Sequence, residues 1–233
     1  MKAVILGGGL GTRLRPVTYE IPKPLVPVNK KPIVNYLIDL FARYGCGEVC
    51  LLVSRAHELD FMRWKKAWAD ELPYRHVSIC FEEKPRGTFG GLEQLQGWIG
   101  NEAFFLSNGD ELKDFNLDEL KNFHEREGGV GTIALVEVPN AHEYGVPLMD
   151  GSHVVEFLEK PAHPPSRFIS SGLYLLEPSV FAHADFRKEH IMIEKDIFPK
   201  LAREGKLMGF PVKGGRWYDC GTLERWEKAM QEW

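Results

Sequence analysis

Residues 1–16 read MKAVILGGGLGTRLRP, an apolar run that leads directly into a cluster of glycines. Residues 2–6 predict a short buried strand, and the glycines after it predict a loop at its carboxyl end. Ligands of parallel α/β sheets bind at the carboxyl ends of the strands. Because glycine has no side chain, the backbone N–H groups of such a loop can approach phosphate oxygens closely. The stretch therefore predicts an α/β fold whose first loop binds phosphate.

Alternating strand-like and helix-like segments continue this pattern. In the first half the strands are predicted at 2–6, 48–53, 76–82 and 103–107, and the helices at 32–45, 56–71 and 89–98. Later strands are predicted at 131–138, 154–159, 172–177 and 207–212, and later helices at 194–205 and from about residue 222. The order predicts a mixed, mainly parallel sheet flanked by helices, with a small hairpin-rich extension. No linker interrupts it, so we predict a single domain.

Composition and charge argue against several classes of protein. The 233 residues are 44% hydrophobic and 27% charged, and the formal net charge is −4. That charge argues against a nucleic-acid or anionic-membrane partner. No apolar stretch approaches the roughly 18 residues of a membrane span, and the apolar start is too short for a signal peptide. We expect a cytoplasmic protein with no nucleic-acid or membrane partner.

The four cysteines do not predict a metal site. Cys46, Cys50, Cys80 and Cys220 lack zinc-ligand spacing, and no paired histidines accompany them. Buried, reduced thiols are the expected state.

Two common phosphate-binding motifs do not fit the glycine loop. A P-loop needs Gly-Lys-Ser/Thr, whereas this loop has Gly11-Thr12-Arg13. The dinucleotide fingerprint needs a third glycine where Thr12 stands, and an acidic residue after a second strand. A glycosyltransferase would typically hold its metal with D-x-D, which is absent from the chain. On its own the loop predicts phosphate binding, with the reaction left open.

The loop and the segment IPKPLVPV (21–28) together resemble the sugar-1-phosphate nucleotidylyltransferases, or NDP-sugar pyrophosphorylases. That family reads approximately L-A-G-G-x-G-T-R-L-x-P-L-T and then P-K-P-x-x-P-V, with alanine where Gly7 stands here. The resemblance covers nearly the whole chain. It implies a Rossmann-like, GT-A-like fold of the short single-domain type, similar to mannose-1-phosphate and heptose-1-phosphate guanylyltransferases. Residues 1–130 would form the nucleotide-binding half and residues 131–233 the sugar-phosphate half.

The implied reaction joins a nucleoside triphosphate to a sugar 1-phosphate and releases pyrophosphate. Such a step needs alignment and charge neutralisation rather than a protein nucleophile. Arg13, Lys23 and Asp110 are the implied catalytic residues. The implied nucleotide-binding residues of the opening segment are Leu6, Gly8, Gly9, Gly11, Thr12 and Arg13.

Two aspartates are the implied ligands of Mg²⁺, the expected cofactor. Asp110 follows a predicted strand in FFLSNGDEL (104–112), and Asp219 lies in GGRWYDCGT (214–222). Taken alone, Asn108-Gly109 is equally a turn signal, and Asp219 could cap the last helix. The family motifs N-G-D and W-x-D-x-G-T assign both aspartates to the metal. Mg²⁺ usually takes one or two protein carboxylates plus substrate phosphates.

The resemblance also assigns a sugar-phosphate pocket. The motifs EYGVP (143–147), FLEKP (157–161) and SSGLYLLEP (170–178) occur in family order. Carried over, the pocket comprises Gly145, Glu159, Lys160 and Ser170. Ser170 stands where asparagine is common, and a hydroxyl makes fewer hydrogen bonds than an amide. The resemblance therefore leaves the sugar open.

The stretch FEEKPRGTFGG (81–91) matches the base-reading segment of the family. Glu82, Gly87 and Thr88 would bind the nucleotide, with Asp110 beside them. A carboxylate at Glu82 suits guanine, which presents two adjacent donors, so GTP is favoured. A UTP-, CTP- or dTTP-dependent enzyme and a non-catalytic nucleotide-sugar sensor remain as alternatives. The oligomeric state is left open, with a homodimer as one candidate.

Overall fold

The computed structural model describes residues 1–9, 11–70 and 77–233. They belong to two compact units. Unit 1 contains residues 1–85, 107–115 and 215–233, and unit 2 contains residues 86–106 and 116–214. The chain therefore enters unit 1 three times, and residues far apart in sequence meet there.

The strands and helices follow the predicted alternation for most of the chain. The strands are β1 (Lys2–Gly7), β2 (Pro27–Val28), β3 (Lys31–Pro32), β4 (Glu48–Ser54), β5 (Val77–Glu82), β6 (Phe104–Asn108), β7 (Glu111–Lys113), β8 (Gly131–Glu137), β9 (Gly145–Asp150), β10 (His153–Glu159), β11 (Phe168–Leu176), β12 (Leu207–Pro211) and β13 (Trp217–Asp219). The α-helices are α1 (Ile33–Arg43), α2 (Glu58–Trp68), α3 (Gly87–Gly90), α4 (Gln96–Ile99), α5 (Leu117–Glu127), α6 (Phe198–Arg203) and α7 (Leu223–Glu232). No helix among the described residues is both long and apolar enough to span a membrane.

Unit 1 has a parallel sheet with the strand order β5-β4-β1. Ile5 lies opposite Leu51, and Leu51 lies opposite Ile79. Most residues of β1 and β4 are buried, as expected for parallel strands with both faces covered. The glycine loop thus follows directly after a strand of the core.

An apolar cluster in unit 1 contains residues from both the start and the end of the chain. Its fully buried members are Leu14, Val26, Val28, Ile33, Leu112, Cys220 and Ala229. Leu14 follows the glycine loop, Leu112 lies in β7, and Ala229 lies in the last helix. Because burial of these apolar side chains is favourable, the cluster holds three separate chain segments in fixed positions.

Unit 2 is mixed, with the strand order β11-β8-β12-β10-β9. Strands β8 and β12 are parallel, whereas β8 with β11, β10 with β12 and β10 with β9 are antiparallel. Helix α5 begins at the cap Asn116, whose side chain accepts from the N–H groups of Asp118 and Glu119. It ends at Gly128, which has a φ of 73°.

The predicted α/β class with a mixed sheet and flanking helices is confirmed, two of the predicted helical stretches are present with irregular geometry, and one helix was missed. The helix over 89–98 is a pair of one-turn helices, α3 and α4, joined by a 3₁₀ segment, because glycines interrupt it. The helix over 194–205 begins as a π-helical turn, Ile193–Ile197, and continues as α6. Helix α5 was not predicted at all, since its exposed face is strongly polar and hides the apolar spacing.

Two further predictions are only partly covered by the structure. Glu71, the predicted end of the second helix, and His76, the predicted start of a strand, lie outside the described residues. The turn signal at Asn108-Gly109 does not make a hairpin, because β7 pairs with β13. The single domain and its two halves remain predictions.

Candidate active site

The glycine loop lies at the carboxyl end of β1 and is shaped by its neighbours in unit 1. Leu6 accepts a hydrogen bond from the N–H of Gly109 at 2.8 Å. A Cβ at Gly7, where the family commonly has alanine, would lie 2.9 Å from Val53 Cγ1 and 3.0 Å from Pro24 Cγ. The side chains around Gly7 therefore fill the space that the family gives to a methyl group.

Gly9 and Gly11 of the loop have different surroundings. A Cβ at Gly9 would meet no described atom within 4 Å, so this position is open. Gly11 has a φ of 61°, and the hydroxyl of Thr18 donates to its carbonyl oxygen at 2.7 Å. A β-carbon at Gly11 would lie 2.8 Å from Thr18 Cγ2. Glycine is therefore required at residue 11 by both the backbone angle and the contact.

Arg13 projects from the short 3₁₀ helix Thr12–Leu14 that follows the loop. Leu14 is fully buried and fixes the turn, whereas Thr12 and Arg13 are exposed. Arg13 makes no ion pair with any residue that the structure describes. Its guanidinium is therefore available to an anionic ligand at the loop.

Lys23 and Asp110, two of the predicted catalytic residues, form an ion pair through Nζ and Oδ2. Lys23 lies in the 3₁₀ turn Lys23–Leu25 between two prolines, and its side chain is only 10% exposed. Burial would raise the pKa of Asp110, but the Lys23 ammonium outweighs burial and holds that pKa below its ordinary value. Asp110 is therefore a carboxylate at neutral pH, and its ion pair with Lys23 fixes the orientation of the lysine side chain.

The two predicted metal ligands lie on neighbouring backbone segments. The N–H of Cys220 donates to the carbonyl oxygen of Asp110 at 3.1 Å. Pairing of β7 with β13 places Asp219 opposite Glu111, the residue after Asp110. Asp219 accepts from the N–H of Gly221 at 2.6 Å and from the guanidinium of Arg225. These contacts hold the two backbone segments together and orient the carboxylate of Asp219.

A buried ion pair below these aspartates was not predicted from the sequence. Lys113 is 2% exposed, and its Nζ lies 2.9 Å from Glu111 Oε2. Glu111 also accepts from Asn108 Nδ2 at 3.0 Å and from Trp217 Nε1 at 2.9 Å. Burial, reinforced by the charges of the two metal-ligand candidates, raises the pKa of Glu111. In the sequence, Glu111 and Lys113 flank a single leucine, a pattern that is typical of a strand with one exposed face. The sequence therefore did not indicate that the two charged residues are buried.

Glu82, the predicted base-reading residue, ends β5 and is 6% exposed. It lies in register with Ser54 at the end of β4. A Cβ on Gly8 would be 3.0 Å from Glu82 Oε2, so the carboxylate faces the glycine loop. By contrast, Glu83 is exposed and pairs with Arg55 Nε at 2.6 Å. The structure therefore brings Glu82 and the phosphate loop together in unit 1.

Gly87 and Thr88, also predicted to bind nucleotide, belong to unit 2. Gly87 has a φ of 84°. The Thr88 hydroxyl donates to Glu194 Oε2 at 2.7 Å and accepts from the N–H of Ile193 at 2.9 Å. The single donor of this hydroxyl and one of its two acceptor lone pairs are thus used within the protein. A nucleotide contact through this hydroxyl would therefore have to use the remaining lone pair.

The predicted sugar-phosphate residues gather around the ends of β9 and β10 in unit 2. A Cβ on Gly145 would lie 3.2 Å from Glu159 Oε2. Lys160 has a φ of 50°, its N–H donates to Tyr144 O at 3.0 Å, and its Nζ lies 3.7 Å from Glu159 Oε1. A left-handed lysine is costly, and such strain is concentrated at functional sites. The geometry therefore favours a functional role for the pair.

Ser170, the fourth predicted sugar-side residue, lies on β11. Its hydroxyl donates to the hydroxyl of Tyr174 at 3.2 Å and accepts from the N–H of Gly172 at 3.3 Å. A serine with two internal contacts has little hydrogen-bonding capacity left for a ligand. Ser170 therefore differs chemically from the asparagine that is common at this position.

None of the four cysteines forms a disulfide. Cys46, Cys50 and Cys220 are buried as predicted, whereas Cys80 is partly exposed because it lies on the outer strand of the order β5-β4-β1. Burial, followed by the charges of Asp219 and Asp110, raises the pKa of Cys220 to about 12. Cys220 is therefore a thiol at neutral pH and packs as an apolar residue.

The family model described as nucleotidyl transferase matches residues 2–233 of this chain. The chain belongs to the nucleotidyl transferase family. A curated relative, the mannose-1-phosphate guanylyltransferase catalytic subunit beta of Danio rerio, is 36% identical over 225 residues. That match covers 95% of this nucleotidyl transferase but 61% of the relative. The chain thus spans about three fifths of the length of the relatives it matches.

Solved structures confirm the fold class of this nucleotidyl transferase. A Bacillus anthracis chain, provisionally named a glucose-1-phosphate thymidylyltransferase, superposes with a TM-score of 0.88 at 22% identity, covering 99% of this chain and 94% of that one. The protein HddC from Yersinia pseudotuberculosis superposes with a TM-score of 0.83 at 27% identity, covering 99% and 98%. The Rossmann-like, GT-A-like class predicted from the sequence is therefore correct.

The turn that contains Gly109 and Asp110 approaches β1 closely, and a substitution at Gly109 tests whether this approach contributes to the stability of the nucleotidyl transferase. A Cβ there would lie 2.5 Å from the carbonyl oxygen of Leu6, a backbone atom that cannot move aside. We expect Gly109→Ala to lower the free energy of unfolding by about 3 kcal/mol. Chemical denaturation checks this, with Gly47→Ala as the control because a Cβ at Gly47 meets nothing within 4 Å. Equal stability of the two variants would contradict the expectation.

Proposed function

We propose that this nucleotidyl transferase moves a nucleoside monophosphate from a nucleoside triphosphate, with GTP preferred, to a sugar 1-phosphate. The observation that carries the proposal is the arrangement at the carboxyl end of β1. There the glycine loop lies beside the Lys23–Asp110 pair and the uncommitted cation Arg13. The name of the Danio rerio relative supports both the sugar phosphate and the base.

In the proposed reaction an oxygen of the sugar phosphate attacks the α-phosphorus of the triphosphate. The bond from that phosphorus to the bridging oxygen of the β-phosphate breaks, and pyrophosphate leaves with the electron pair. The backbone N–H groups of the loop bind the phosphate oxygens, and Arg13 neutralises the charge that develops on the leaving group. Asp110 holds the ammonium group of Lys23, which supplies a positive charge at a fixed position. Glu159 and Lys160 are the proposed contacts for the sugar phosphate.

Mg²⁺ is the proposed cofactor, and the residues present fit it. Asp110 and Asp219 offer carboxylate oxygens on adjacent segments. The described part of the chain contains no group of three or more His, Cys, Asp and Glu side chains able to hold a metal. Two carboxylates suffice for Mg²⁺, because substrate phosphates supply further oxygens. When bound, the ion would neutralise and align those phosphates.

The preference for GTP rests on Glu82. The two oxygens of a carboxylate can accept from the N1–H and the N2 amine of guanine, whereas glutamine has one acceptor oxygen and would place its NH2 donor against a guanine donor. We expect Glu82→Gln to raise the KM for GTP at least about tenfold and to leave the KM for UTP unchanged or lower. Steady-state kinetics with both nucleotides measures this.

The control for Glu82→Gln is Glu83→Gln, the same change at an exposed residue paired with Arg55. It should leave both KM values unchanged. A Glu82→Gln enzyme that keeps the wild-type preference for GTP would refute the role of Glu82. The transferase proposal would survive that result.

The whole proposal is tested by pyrophosphate release. Purified protein with Mg²⁺ is incubated with GTP, UTP, CTP, dTTP or ATP against hexose and heptose 1-phosphates. Release with GTP and one sugar phosphate supports the proposal, and release only with another nucleotide corrects the base. Failure of every combination would contradict catalysis and favour a nucleotide-sugar sensor, for which binding without turnover is the positive result. A homodimer and a cytoplasmic location remain predictions.

A further inference from the structure

Glu194 is a partly buried carboxylate of unit 2 to which neither the family motifs nor the proposed reaction assigns a role. It lies in the π-helical turn Ile193–Ile197. Such turns are rare in proteins and occur frequently at functional sites. Its Oε2 accepts the hydroxyl of Thr88 at 2.7 Å, although the two residues are 106 positions apart. The contact therefore connects the base-reading segment to a distant part of the chain.

Several backbone contacts accompany this hydrogen bond. The carbonyl oxygen of Ile191 accepts from the N–H groups of Phe89 and Gly90 at 2.9 and 3.2 Å. The N–H of Ile191 donates to Arg86 O at 2.9 Å. A Cβ on Gly87 would lie 2.5 Å from the same carbonyl oxygen. The segment Arg86–Gly90 is thus attached along its length to the residues just before the π turn.

The other side of the π turn packs against the strand that carries the sugar-side residues. Phe198, directly after the turn, contacts Phe157 of β10 with ring centroids 5.1 Å apart. It also contacts Tyr174 of β11 at 5.1 Å. Phe157 and Glu159 are two residues apart on one strand, so their side chains share a face. The turn therefore lies on the face of β10 from which Glu159 projects.

Electrostatic interactions support the same proximity. Burial is the main cause that raises the pKa of Glu194. The charge of Glu159 raises that pKa further, and the charge of Lys160 lowers it. Glu194 therefore lies within the electric field of the proposed sugar-phosphate pair.

We propose that Glu194 is a positioning residue that, through Thr88, fixes the nucleotide-binding segment Arg86–Gly90 relative to the sugar-side strand β10. The substrate roles in this statement rest on the proposed function. Two substrates must be aligned for direct transfer, so the rate depends steeply on this relative placement. The Thr88–Glu194 hydrogen bond acts together with the backbone contacts of Ile191 in setting this placement.

Four variants separate the hydrogen bond from the size of the side chains. Glu194→Met removes this bond alone, and Thr88→Val removes it together with the acceptor of the Ile193 N–H. Thr88→Ser and Glu194→Gln keep a donor and an acceptor. In the double variant T88V/E194M both polar partners are gone, which avoids an unsatisfied buried carboxylate. Glu204→Gln is the control, since this carboxylate on the same part of the chain pairs with the exposed Lys206.

Hydrogen exchange tests the positioning without any substrate. In the bond-removing variants we expect the amides of Phe89 and Gly90 to exchange at least about tenfold faster than in wild type. The bond-keeping variants and Glu204→Gln should stay within about twofold of wild type. Unchanged exchange in Glu194→Met, which keeps the hydrogen bond between the Ile193 N–H and Thr88, would overturn the inference, whether or not the protein shows transferase activity.

Kinetics then tests the consequence for the substrates. Thr88→Val and Glu194→Met should each raise the KM of both nucleotide and sugar phosphate and lower kcat about tenfold, and the double variant should cost no more than either single one. A merely structural bond would instead lower the melting temperature and leave the KM values of the folded enzyme unchanged, which would refute the positioning role. Absence of turnover in the wild type would contradict the proposed function, and the exchange result would still decide the positioning.

Discussion

Replacing Asp110 with asparagine is expected to lower kcat about a thousandfold. Asparagine keeps the shape of the side chain but removes the negative charge that Lys23 contacts and that Mg²⁺ would require. The same reasoning applies to Asp219→Asn. The carboxylate of Asp219 accepts hydrogen bonds from the N–H of Gly221 and from the guanidinium of Arg225. Pyrophosphate release at saturating substrates measures the effect, and circular dichroism checks that the fold persists.

The matched control is Asp114→Asn, four residues after Asp110. Asp114 is half-buried and pairs with Arg43 at 2.8 Å and with Arg216 at 3.8 Å, so its neutralisation affects two ion pairs near the surface. We expect its kcat to stay within about twofold of wild type. Wild-type rates in both Asp110→Asn and Asp219→Asn would remove these aspartates from the reaction and with them the proposed metal site.

Arg13→Ala is expected to lower kcat at least about a hundredfold with little change in stability. Arg13 is exposed and forms no ion pair with the described residues, so its removal leaves no carboxylate uncompensated. The backbone turn is held instead by the buried Leu14. The substitution should therefore affect the neutralisation of triphosphate charge and not the fold, and the largest change should be in kcat.

Arg15→Ala provides the control for this variant. Arg15 has the same charge two residues further on and lies over the ring of Tyr19 at 4.8 Å. Its removal should leave kcat almost unchanged, while both variants keep the melting temperature of the wild type. Equal losses in Arg13→Ala and Arg15→Ala would indicate a general effect of positive charge and would contradict a specific contact at Arg13.

Local sequence predicted most of the elements and the character of the opening loop. Strands β1 and β4 are apolar except at their ends, and helix α1 begins directly after a proline and repeats its apolar residues at helical spacing. Prediction failed where local pattern and tertiary contact disagree. Helix α5 was missed because only its inner face is apolar, and the segment 89–98 was predicted as one helix although α3 depends on its contact with Ile191.

The candidate site divides in the same way. Motifs located Arg13, Lys23, Asp110 and Asp219, because each lies next to a strand or turn that short stretches of sequence reveal. The motifs did not predict the buried ion pair of Glu111 and Lys113. Glu111 also accepts a hydrogen bond from Trp217, which is 106 residues away in the sequence, and local sequence cannot show such a contact. The Thr88–Glu194 bond was likewise invisible. A single sequence shows which chemical groups exist but not which of them are buried together.

By itself, then, the sequence determined the α/β class, the position of the glycine loop after the first strand and the identity of the charged residues that follow the strands. Those properties depend on neighbours along the chain, through strand propensity, turn chemistry and side-chain type. Only the tertiary structure decided which charges neutralise one another, that Glu82 faces the loop, and that Thr88 is bound internally. These outcomes depend on burial and on hydrogen bonds between distant residues, because a polar group removed from water must find its partner wherever the fold places it.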